Sequence, residues 1–243
     1  MVKRTTPMTR ENRRKQLLKI ARQLVAKEGM GALTMMALSD RAKVAKPVVY
    51  SHFPNREAVA IALLAEHFEA SATYTREYLK GATTLEEYFS RLVDAAFNFE
   101  GASDTPVRKI TNGFSAGDEV NEAFLRHEEA FRLHWELILQ FLDVRKERIE
   151  VAAYALHGMM DNTVYTFAIT PQAKVARSTL KTMLLETVAA LAPDRKRKIQ
   201  GASLAEVTDP KSYLKRKTAK VRGAPKTSAR ERKSKSEVGA ALP

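Results

Sequence analysis

There is no cysteine in these 243 residues, which excludes disulfides, thiolate catalysis and cysteine-ligated zinc. No uninterrupted apolar run is long enough to span a bilayer. The first residues, MVKRTTPMTRENRRK, place no apolar stretch behind their charges, so a secretory leader is not expected and a cytoplasmic, non-membrane protein is. Strand-like alternation is missing as well, and with it any argument for a sheet. Paired carboxylates, a phosphate-binding glycine loop and a nucleophile triad do not stand out, so no enzyme activity and no cofactor are expected.

What is present is charge, unevenly placed. Residues 1–56 hold thirteen lysines and arginines against three carboxylates, and residues 194–243 hold fifteen against five. Between them, residues 57–193 hold thirteen against twenty, so two basic ends flank an acidic middle. That pattern favours polyanion contact at the ends. The last fifty residues have few large apolar groups and are expected to form a disordered basic tail, with a transient helix near Tyr213–Lys220.

Helical periodicity fills the rest. Thr9 to Lys27 carries the apolar stripe Leu17, Ile20, Ala21, Leu24 and Val25, and Gly29 terminates it. Thr34 caps a short helix whose Met35, Leu38 and Ala42 share one face. Pro47 opens a second short helix at a position where its missing N–H costs nothing. Val49 and Phe53 would pack back on the preceding helices, leaving Lys46, Val48, Ser51 and His52 outward, a face suited to a DNA major groove. Asn55 caps a longer helix with Val59, Leu63, Ala70 and Tyr74 inward, and Gly81 breaks it. A further helix opens at Thr84, and Gly101–Pro106 and Gly113–Gly117 punctuate a short helical piece. Asp118–Leu142 turns Phe124, Phe131, Trp135, Ile138 and Leu142 inward. Two long helices, Lys146–Ala168 and Pro171–Ala192, are linked so tightly that they fold back as a hairpin. Their expected core stripes run from Ala152 to Phe167 and through Ala176, Leu180, Met183, Leu184, Val188 and Leu191.

The segment from Thr34 to Glu57, through Leu38, Ala42, Val44, Tyr50, His52, Phe53, Pro54, Asn55 and Arg56, closely resembles the helix-turn-helix module of the TetR family of bacterial transcriptional regulators. It departs from the family pattern at Lys43, where a turn glycine is usual, and at Ala45, where a Ser or Thr cap is usual. The resemblance implies an all-α protein in three parts. Residues 1–56 would be an N-terminal arm and three-helix DNA-binding domain, 57–193 a larger helical domain for effector binding and dimerisation, and 194–243 the tail. The DNA contacts carried over are Thr34, Lys46, Pro47, Val48, Tyr50, Ser51, His52 and Arg56. Arg4, Arg10, Arg13 and Arg14 add backbone or minor-groove contacts.

In the second domain the resemblance implies a pocket for a small effector, hydrophobic or aromatic in character. Its candidate walls are Phe99, Phe131, Trp135, Met160 and Tyr165, with Phe97 and Met159 beside them and His134, His157 and Asn162 as polar anchors. The Lys146–Ala192 hairpin would pair with its two-fold mate as a four-helix bundle, with Ala152, Ala153, Ala155 and Gly158 permitting close approach. His127 and His134 lie two helical turns, ~10 Å, apart, too far for one ion, so no metal is expected. Ser212-x-x-Lys215 lies in the tail without a scaffold and is set aside. The function implied is a homodimeric repressor that reads a near-palindromic operator and is released by its effector. The alternative is an architectural DNA-binding protein with no effector.

Overall fold

A computed structural model describes residues 8–192, and every regular element within them is helical. The expectations for Arg4 and for everything beyond residue 192 lie outside the described residues.

Helix α1, Arg10–Glu28, begins where the Thr9 hydroxyl accepts the Asn12 N–H at 3.2 Å and ends at Gly29, whose φ of 81° suits a residue without a Cβ. Its stripe of Leu17, Ala21, Leu24 and Val25 is buried, joined by Leu18. After a 3₁₀ turn at Met30–Ala32, Thr34 accepts the Ala37 N–H at 3.0 Å and starts α2, Met35–Ala42. Lys43 then adopts a left-handed conformation (φ 54°, ψ 47°) that lets the Val44 N–H close on the Ser39 carbonyl. Helix α3, Lys46–Tyr50, has Pro47 in its first turn and no side-chain cap from Ala45. Val49 and Phe53 are buried and fix it against its neighbours.

Asn55 accepts the Ala58 N–H at 2.8 Å and starts α4, Arg56–Leu79. Thr84 likewise caps α5, Leu85–Ala102, while the Glu87 carboxylate reaches back to the Thr83 N–H at 2.8 Å. Gly101 lies inside the last turn of α5 instead of breaking it; the chain leaves the helix at Ser103, ahead of Pro106. Helix α6, Val107–Thr111, is a short bridge, followed by α7 (Glu119–Phe141), α8 (Lys146–Phe167) and α9 (Ala173–Leu191). The short link folds α9 back on α8, and α9 also packs on α5.

Two apolar cores result. The first joins α1, α2, α3, the N-terminal half of α4, and Val107, Ile110 and Val120 from α6 and α7. The second joins α5, α8 and α9 with Leu79 at the end of α4 and Trp135, Ile138 and Leu139 of α7. Helix α4 thus serves both, and this overturns part of its expected face: Ala70 and Tyr74 are exposed. Inward residues step by four, from Leu63 and Leu64 through His67 and Phe68 to Leu79, with Ser71, Ala72 and Thr75 partly covered between them. A four-residue step advances ~40° beyond a full turn, so the buried stripe drifts around the helix and leaves Ala70 and Tyr74 outside. Met183 is exposed for a related reason, because Leu180, Leu184 and Val188 define the covered face of α9 and Met183 lies on its flank. Phe124 and Phe131 are partly buried and pack against the first core.

The seam between the modules is specific. Lys109 on α6 donates to the Ala26 carbonyl at 2.7 Å, and Arg22 on α1 pairs with Glu66 on α4 at 3.0 Å. A Cβ on Gly113 would sit 2.4 Å from the Met30 side chain, so glycine is required there by space.

Candidate nucleic-acid interface and helical cavity

The outward side of α2 and α3 gathers the sequence-derived DNA residues. Lys46, Pro47, Tyr50 and Ser51 are exposed, and Val48 is half-buried. The Ser51 hydroxyl donates back to the Val48 carbonyl at 2.8 Å. Thr34, Tyr50 and Arg56 line one shallow depression with Met36, Pro54 and Asn55. Met36, exposed on this rim, was not singled out from sequence; an apolar residue beside a capping threonine gives no pattern signal. Arg56 donates to Glu57 at 3.1 Å and lies over the Phe114 ring at 5.1 Å, so its charge is partly committed within the molecule.

Three arginines of α1 back α3. Arg14 donates to the His52 carbonyl at 3.0 Å and covers the Phe53 ring at 4.2 Å. Arg10 reaches the Ser51 carbonyl at 3.4 Å, while Arg13 bonds Gln16 at 2.6 Å. Burial, then the charges of Arg10, Arg14 and Arg13, hold the His52 imidazole below its usual pKa.

The second feature is a cavity between α4, α5, α7 and α8. Six of the eight sequence-derived residues line it: Phe131, His134, Trp135, His157, Met160 and Tyr165. Phe99 does not; it lies outside with its ring 5.8 Å from Tyr74 and 5.2 Å from His67. Asn162 is exposed and accepts from Arg108 at 3.2 Å, because the α8 face one residue earlier is the one turned inward. Phe97 is buried in the second core, and Met159 packs at its edge. His134 bonds the Tyr88 hydroxyl at 2.8 Å, and His127 stacks on Phe68 at 4.5 Å.

Carboxylates not expected from the sequence also face this space. Glu100, Glu128 and Asp161 also line the cavity, together with Arg76, Ser71 and Thr75. His157 Nε2 lies 2.9 Å from a Glu128 carboxylate oxygen, and its ring is parallel to Phe131. His67, 4% exposed, places Nε2 2.9 Å from Glu100 and Nδ1 3.2 Å from the Ser103 hydroxyl. Burial, followed by the Glu128 charge, raises Asp161 to about 7, against the opposing pull of His157. Burial, then Glu100, Asp161 and Glu128, keeps the Tyr165 hydroxyl protonated well above its usual range. A signal was available: Asp161 stands four residues from His157 and three from Val164, on the face already assigned to the wall.

Residues 17–63 match the profile of the bacterial regulatory proteins of the tetR family. A 97-residue stretch is 32% identical to the HTH-type transcriptional activator FasR of Mycolicibacterium smegmatis. That match spans 40% of this chain and 44% of the relative, less than half of its length. GusR of Salmonella enterica superposes with a TM-score of 0.59 at 22% identity, covering 77% of this chain and all of that one. The SmeT–triclosan complex superposes with a TM-score of 0.57 at 17% identity, covering 75% of this chain and 92% of that one. These two likenesses are of fold.

Proposed function

We propose that the chain, whose residues 17–63 match the bacterial regulatory proteins of the tetR family, is a member of that family and a homodimeric repressor released from its operator by a small molecule. The observation that carries this reading is the pairing of an outward, basic helix-turn-helix face with a separate aromatic cavity, both served by α4. On DNA, α3 enters the major groove, where Lys46 meets a guanine edge or phosphate and Val48 a thymine methyl. Thr34, Tyr50, Ser51 and Arg56 engage the backbone, and Pro47 sets the entry of α3. His52 joins them as a neutral N–H donor, since its pKa is depressed.

Dimerisation through α8 and α9 is supported by an uncovered apolar face. Val151 and Tyr154 are each 73% exposed, Val175 66% and Met183 46%. Ala155 and Gly158 lie among them, and nothing stands within 4 Å of a Cβ built on Gly158. A dimer reading two half-sites needs its recognition helices one DNA turn, roughly 34–36 Å, apart. The cavity supplies the effector site, as the triclosan complex of SmeT suggests for a chain of this fold. The test is selection of bound fragments from the source genome against excess competitor DNA. One inverted repeat, with preference lost in Lys46→Ala, is the expected result. Recovery of DNA without a shared motif would favour an architectural role.

A further inference from the structure

This inference rests on the α4–α5–α7–α8 cavity being the effector site and concerns the charge of what enters it. The walls are mostly apolar, with the rings of Phe68, Phe131, Trp135 and Tyr165 among them. Three carboxylates also face the space, and two have a histidine nitrogen beside them. Glu128 lies 2.9 Å from His157 Nε2, and Glu100 lies 2.9 Å from His67 Nε2. The Asp161 carboxylate has no hydrogen bond or ion pair to any described residue.

Cations nearby do not resolve this. Arg108 on α6 donates to Asn162 at 3.2 Å and lies 5.7 Å from the centre of the Tyr165 ring. Arg76 on α4 is the one guanidinium among the lining residues. A largely buried carboxylate without a paired cation is costly; burial and the Glu128 charge outweigh the pull of His157 and Arg108 and hold Asp161 protonated up to about pH 7. An anionic ligand would worsen the repulsion. A cation would supply the missing partner and gain from the ring faces around it.

We propose that the effector is a small organic cation, an amine or quaternary ammonium on an aromatic or aliphatic body, with its positive centre at Asp161 between Glu128 and Glu100. Binding then releases the Asp161 proton, so affinity rises with pH toward neutrality. The groups facing Asp161 during that titration are Glu128 on α7, His157 and Tyr165 on α8, Glu100 on α5 and Arg108 on α6.

The experiment uses the full chain and three probes of one length and ring: 4-phenylbutylamine, 4-phenylbutanol and 4-phenylbutanoate. Calorimetry at pH 8 should give the amine about tenfold tighter binding than the alcohol, with the acid weakest. Asp161→Asn should bring the amine down to the alcohol while leaving alcohol affinity unchanged, with thermal unfolding confirming that the variant is folded. At pH 5.5 the advantage of the amine should shrink in the parent chain and not in the variant. An alcohol or acid that binds as tightly as the amine overturns the cation and leaves the cavity standing as an effector site. Failure of all three probes to bind removes both.

Discussion

Lys43 holds a backbone conformation that most side chains avoid, in a turn closed by the Val44 N–H on the Ser39 carbonyl. Lys43→Gly should therefore stabilise the protein by about 1 kcal/mol in urea unfolding, whereas Lys43→Ala should not. Gly113 is the opposite case, set by space: its missing Cβ is filled by Met30. Gly113→Ala should cost about 1–3 kcal/mol, and the loss should be smaller in a Met30→Ala background, as a double-mutant cycle would measure. Asp161 links stability to pH. Its folded pKa is raised to about 7, so the folded state binds the proton more tightly than the unfolded state. Its favourable contribution is complete below the unfolded pKa near 3.8 and is lost as pH rises through 7. Asp161→Asn should accordingly match the parent at low pH and exceed it in urea resistance at pH 8.

At the level of helices, what reads directly from sequence is what local chemistry fixes. Thr9, Thr34, Asn55 and Thr84 each accept the N–H three residues on, so the helix starts are legible. The missing cap on α3 is legible in the same way. Ala45→Ser should stabilise the protein by about 1 kcal/mol in urea denaturation, if the serine oxygen takes up a free N–H of that first turn. What fails to read is decided by packing between distant helices. A fixed stripe on α4 put Ala70 and Tyr74 inward because the sequence cannot say that one helix serves two cores. Phe99 and Asn162 were misplaced relative to the cavity for a similar reason, each by a rotation that only the neighbouring helices define. The carboxylates do not read as wall residues because apolar periodicity carries no signal for charge, although Asp161 shares the face of His157 and Val164.

For the whole molecule, the uncovered α8–α9 face and the two basic ends give separable expectations. Replacing Val151 and Tyr154 with glutamate should yield monomers in sedimentation and leave the helical content of each chain intact, since neither side chain belongs to a core. Ending the chain at Ala192 removes fifteen lysines and arginines. Binding to all DNA should weaken alike and its dependence on salt should flatten; an unchanged slope would remove the tail from the interface. The continuity of α4 has a mechanical consequence. From Arg56, at the rim of the depression lined by Thr34 and Tyr50, to Ser71 in the cavity wall is fifteen residues of unbroken helix, roughly 22 Å. A tilt of about 5° pivoting at the cavity would swing the far end by roughly 2 Å. In the proposed mechanism helix α4 would serve as a lever arm: adjustments too small to break a contact around a bound molecule would become, at its tip, a displacement comparable to the tolerance of a hydrogen bond.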